Sequence, residues 1–130
     1  MSLLTVAARA LTGLPFVKFG YAAATEPGPR IDMAGPLLGQ VRAVVPIPVD
    51  DEAVVRANGA AQAVAGAMVA AGVFPRLAAG SLLASLIPTT LAGHAYWKYD
   101  DPAARSQQQT QFLKNTVMAG GLLAVAAANK

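Results

Sequence analysis

Two long runs without a formal charge dominate this sequence. From Ala57 to Pro75 there is no Asp, Glu, Lys or Arg, and from Leu77 to Trp97 there is none either. Apolar stretches of about 18 residues or more are long enough to cross a bilayer as helices. A soluble helical bundle needs a charged outer face on each helix, and these two runs have none to offer. Of the 130 residues, 55% are hydrophobic and only 13% charged, whereas an average soluble domain carries about 25% charged residues. The sequence predicts a multi-pass protein of the plasma membrane, with residues 1–130 forming one domain.

The composition excludes several chemistries. There is no cysteine, so the chain supplies no disulfide, iron–sulfur ligand, zinc thiolate or thiol nucleophile. Its single histidine, His94, cannot form a bis-histidine haem site within one chain, nor a His-rich zinc site. The net charge of +3 comes from ten basic residues scattered singly. A nucleic-acid footprint needs a concentrated basic stripe, so that class is set aside. Met1 to Ala8 carries no basic side chain, and Arg9 interrupts what would be an apolar signal core. The first segment is therefore read as a retained helix rather than a cleaved signal.

Four helices are expected, at about residues 3–24, 51–71, 75–96 and 102–128, with both termini on one side. Arg9 and Lys18 stand near the ends of the first, where long stems can reach the headgroups, and Pro15 should kink it. Residues 25–49 hold Pro27, Pro29, Pro36, Pro46 and Pro48 and read as an irregular loop, partly on the membrane surface. Asp50 and Asp51 start the second helix and Gly72 ends it. The short connection at Val73–Pro75 makes the second and third helices an antiparallel hairpin. Pro88 should bend the third helix, with Thr89 and Thr90 satisfying carbonyls freed there. Tyr96, Trp97 and Tyr99 form an interfacial aromatic belt. Asp101 and Pro102 then start the fourth helix.

Small residues crowd all four segments, and they let helix backbones approach closely in lipid. Ala60, Ala63, Ala67 and Ala71, with Gly80 and Ala84, are the expected contact points. Seven of the ten basic residues fall on the side of the two polar loops, which favours that side as cytoplasmic. All seven acidic residues fall there too.

Polar residues inside an apolar frame are costly and point to function by default. Arg56, Asn58 and Gln62 lie along one stretch of the second helix. Ser81, Ser85, Thr89 and His94 recur on the third, and Gln108, Gln111, Lys114 and Asn115 on the fourth. They outline a polar pocket near the loop-side face, able to take the head of a quinone or a lipid. The plain alternative is that these groups only bond across helices, at about 0.6 kcal/mol each in lipid, and fix their register.

Pro88-Thr89-Thr90, Gly93-His94, Trp97, Asp101-Pro102, Phe112-Leu113-Lys114-Asn115 and Gly120-Gly121 resemble the DoxX family, closest to its actinobacterial branch. Val55-Arg56-Ala57-Asn58 followed by Gln62 resembles the start of that family's second helix. The resemblance covers about residues 5–128 and implies an all-α, four-helix transmembrane bundle. The family takes its name from a small subunit of an archaeal thiosulfate:quinone oxidoreductase. A mycobacterial relative is described as the membrane anchor linking superoxide dismutase and a rhodanese-like sulfurtransferase. The resemblance thus implies a non-catalytic subunit that anchors redox enzymes, with no intrinsic cofactor and no catalytic residue to carry over. Two alternatives stand beside it: a quinone-reactive oxidoreductase subunit using His94, Gln111, Lys114 and Asn115, and a small lipid- or metabolite-handling protein acting as a homo-oligomer.

Overall fold

The structure, a computed structural model, describes residues 2–128, which are helical throughout apart from turns and connections. Five α-helices follow in order: α1 (Leu3–Thr25), α2 (Arg30–Arg42), α3 (Asp51–Ala71), α4 (Pro75–Gly93) and α5 (Pro102–Ala128). A 3-10 turn (Tyr96–Lys98) lies between α4 and α5. The start and stop residues act as their chemistry dictates. Asp50 accepts a bond from the Ala53 amide at 2.8 Å and Asp101 one from Ala104 at 3.0 Å, each satisfying an amide left free in a first turn. Gly72 closes α3 at φ 75°, a conformation that side chains resist. Phe74, just before Pro75, also has positive φ, at 43°.

The third expected helix was to reach residue 96, but α4 ends at Gly93. The chain then turns so that Tyr96, Trp97 and Phe112 meet edge to face in a trio, with ring centroids 5.3–5.8 Å apart. Both α1 and α4 run on through their internal prolines, Pro15 and Pro88. The carbonyl that Pro88 deprives of a donor is that of Ala84. The threonine hydroxyls bond the next two carbonyls instead, Thr89 to Ser85 and Thr90 to Leu86, both at 2.7 Å.

The proline-rich stretch is not wholly irregular, and this corrects the expectation of a loop over residues 25–49. The position of its prolines explains the helix. Pro27 and Pro29 precede α2, where a missing N–H costs nothing, and Pro46 and Pro48 follow it; only Pro36 lies inside. Asp32 in the first turn and Arg42 in the last suit the helix dipole. No residue of α2 is fully buried. The helix lies against α3 and α4, and Arg42 ties its end down through Asp51 and the Val49 carbonyl.

The tightest packing is between α1 and α3, which cross antiparallel with their backbones in contact. A Cβ at Gly13 would lie 2.7 Å from the Ala70 nitrogen; one at Gly20 would lie 2.5 Å from that of Ala63; and one at Gly66 would lie 2.6 Å from the Gly13 carbonyl. Gly13 pairs with Gly66 and Gly20 with Gly59, seven residues apart on each helix. Of the expected contact points, only Ala63 belongs to this seam. Ala60, Ala67, Ala71, Gly80 and Ala84 are exposed. On a helix that is small-sided all round, composition does not say which stripe faces inward.

An arginine stands at each end of the seam. Arg56 on α3 donates to the Ala24 carbonyl at 2.7 Å, at the C-terminal end of α1. Arg9 on α1 was expected to reach outward but is buried beside the C-terminal end of α3, so close that a Cβ at Gly72 would lie 2.7 Å from its Cζ. The negative end of each helix dipole favours the cation placed there.

The remaining contacts, α3 with α4, α4 with α5 and α5 with α1, close a ring. Phe16, Val69, Ala79, Leu82, Leu86, Leu122 and Val125 fill its centre. Two stretches are long and apolar enough to cross a membrane, Leu3–Thr25 and Pro75–Lys98. Only 22% and 28% of their apolar windows are buried, so most of that surface faces outward.

Candidate functional site

A cavity of about 490 Å³ opens in the half of the molecule that holds the C-terminal ends of α1 and α4 and the N-terminal half of α3. Its walls come from all five helices. Phe16, Phe19 and Ala23 belong to α1, Leu86 to α4 and Met118 to α5, and they make it predominantly apolar. Met33, Leu37 and Leu38 of α2 lie across it.

Six of the eight residues singled out from sequence line this one space: Asn58, Gln62, Thr89, His94, Lys114 and Asn115. Separate hydrogen bonds between the helices position several of them. Ser85 Oγ accepts from Gln62 Nε2 at 2.8 Å and donates to Asn58 Oδ1 at 2.7 Å, tying α4 to α3. Asn115 Nδ2 donates to Thr90 Oγ1 at 2.9 Å, tying α5 to α4. Gln62, Thr90 and Asn115 are buried, so these bonds satisfy groups that would otherwise be costly to enclose. His94 Nδ1 lies 2.8 Å from Gln108 Oε1. An amide oxygen only accepts, so Nδ1 carries the proton.

The other two fall elsewhere. Arg56 is engaged with the free carbonyls at the end of α1 and with Glu52 at 3.3 Å. Gln111 is half-buried but lies outside the cavity lining, about a turn beyond Lys114 and Asn115 on α5, near the level where Gln108 meets His94.

Sequence reasoning missed three contributors. Arg30 and the apolar side chains of α2 were hidden by treating that stretch as loop. Phe16 and Phe19 were hidden in a first helix that looked apolar on every face. Thr90 was read only as a partner of the proline bend. The signal for α2 was present: prolines gathered at the two ends of an otherwise helix-compatible stretch, with an acid first and a base last.

The cavity's polar end can hydrogen-bond a ligand head through the free face of His94 and the amides, while its apolar walls accept hydrocarbon. Among the described residues, no group of three or more His, Asp or Glu side chains is arranged to hold a metal. Compared with known proteins, the chain matches no family model, no curated protein and no solved structure.

Proposed function

We propose that this chain is an integral membrane protein whose cavity holds the head of a membrane amphiphile. In this reading α1, α3, α4 and α5 span the bilayer as a four-helix bundle with both termini on one side, and α2 lies at the opposite surface. Large apolar side chains point outward on all four long helices: Leu11 and Leu14 on α1, Val64 on α3, Leu77, Ile87 and Leu91 on α4, and Leu113 and Val117 on α5. Lone exposed apolar residues are ordinary, but such coverage on every outer face suits lipid.

The cavity carries the functional part. Its volume suits a small-molecule site, and its mix of apolar walls with few convergent polar groups is the usual chemistry of one. Of the roles left open by sequence, this favours holding a quinone or lipid over serving as a bare anchor for redox enzymes.

Two experiments test this. The chain contains no cysteine, so single cysteines at Val73 and Asp100 can be labelled from either side of sealed vesicles. They should label from opposite sides; labelling from the same side rejects the four-span topology. For the ligand, the protein would be isolated in native-membrane nanodiscs and its bound quinones and lipids measured by mass spectrometry. Wild type should keep about one amphiphile per chain through delipidation, and Ala92→Trp, which fills the cavity, should lose it. Equal retention by both would reject the site.

A further inference from the structure

We propose that the amphiphile in this cavity is an anionic membrane lipid, its phosphate recognised by Arg30 and Lys114; the inference rests on the ligand-holding reading above. Among the described residues, the only formally charged ones lining the cavity are these two, and no aspartate or glutamate lines it. Two arginines elsewhere pair with carboxylates, Arg42 with Asp51 and Arg56 with Glu52, while Arg76 and Arg105 have no such partner among the described residues. Asp50 and Asp101 are occupied as helix caps.

Arg30 is held in place by Nη1 bonds to the carbonyls of Glu26 and Pro27, at 3.2 and 3.4 Å. Its Nε and Nη2 meet no acceptor among the described residues. The Lys114 ammonium lies 5.5 Å from the centre of the Phe19 ring and has no carboxylate partner among the described residues. Both side chains are exposed, and two like charges bordering one apolar-walled space create a positive potential that attracts an anion. A guanidinium with donors to spare suits phosphate oxygens, and an ammonium adds a point charge. The apolar wall of Phe16, Leu86 and Met118 then takes the first part of an acyl chain. A neutral quinone would use the amides and His94 but make no use of either cation.

The full chain would be placed in nanodiscs of phosphatidylcholine containing a minor fraction of phosphatidylglycerol, and the lipids retained after delipidation counted by native mass spectrometry. Phosphatidylglycerol should be enriched over its share of the bilayer. Arg30→Gln and Lys114→Gln should each reduce the enrichment about fivefold, the effect of about 1 kcal/mol per basic residue near an anionic lipid. Arg30→Lys and Lys114→Arg should keep it, which separates loss of charge from loss of fold, and Arg105→Gln, a change outside the cavity, should leave it intact. Several millimolar inorganic phosphate should not displace the lipid; displacement would mean that the site takes free phosphate and would overturn the proposal. Retention of phosphatidylcholine or quinone without preference, unchanged in Arg30→Gln and Lys114→Gln, overturns the anionic assignment and leaves the ligand-holding function standing. Retention of no amphiphile at all removes both.

Discussion

Replacing Gly66 with leucine should prevent α1 and α3 from docking, and the protein should fail to accumulate in a folded form. The reason is that the atoms a side chain would meet there cannot give way. A Cβ at position 66 would lie 2.6 Å from the Gly13 carbonyl and 2.9 Å from the Phe16 Cβ. A leucine adds three further carbons to that clash, so the two helices must separate along the whole seam. Overpacking of an ordinary core costs about 1–3 kcal/mol, and sites closed by backbone lie above that range. Gly20→Leu should behave in the same way, since it presses on the Ala63 backbone from the other helix. Gly80→Leu and Gly120→Leu are the controls. Beyond its own helix backbone, neither position has an atom of the described residues within 4 Å of an added Cβ, so both variants should fold with near-normal thermal stability. Thermal unfolding in detergent, followed by loss of a monodisperse elution peak, reads all four. If Gly66→Leu and Gly80→Leu melt alike, the α1–α3 seam is not as described here.

How far this architecture could be seen beforehand depended on whether the information was local. The ends of α3 and the start of α5 were legible because Asp50, Gly72 and Asp101 act on amides and carbonyls a few residues away. The polar pocket was legible in outline for a related reason. Asn58 and Gln62 stand out against apolar neighbours at a spacing of four, which puts them on one side of a helix, whereas Lys114 and Asn115, adjacent in sequence, stand out by polarity alone.

What could not be read was the choice among equivalent faces. In α3 nearly every position is small, so glycine and alanine stripes compete, and the winner depends on where Gly13 and Gly20 lie on another helix, 53 and 39 residues from their partners Gly66 and Gly59. Arg56 was misplaced for the same reason. Its partner is the end of α1, and no spacing within α3 announces it. The helix at 30–42 was missed because prolines were counted rather than located.

Ser85→Ala should destabilise the protein by about 1–3 kcal/mol, the usual cost of leaving buried polar groups without partners. This one hydroxyl serves two amides: without it Gln62 Nε2 has lost its acceptor and Asn58 Oδ1 its donor. Gln62 is only 8% exposed, so its amide has little access to water and carries most of the cost. Asn58 borders the cavity and is half-buried, so it can turn to a ligand or solvent and contributes less. The triple variant Asn58→Leu/Gln62→Leu/Ser85→Ala removes every member of the network. Replacing all partners by apolar groups is close to neutral, so it should recover most of the stability that Ser85→Ala loses. The two roles of the network part company there. If these residues only pin α3 to α4, the triple variant keeps its bound amphiphile along with its stability. If they also meet the ligand's head, stability returns while retention falls. The second outcome is the one expected, because Asn58 and Gln62 face the same space as Arg30 and Lys114. Unfolding midpoints and lipid retention measured on the same three preparations decide between them.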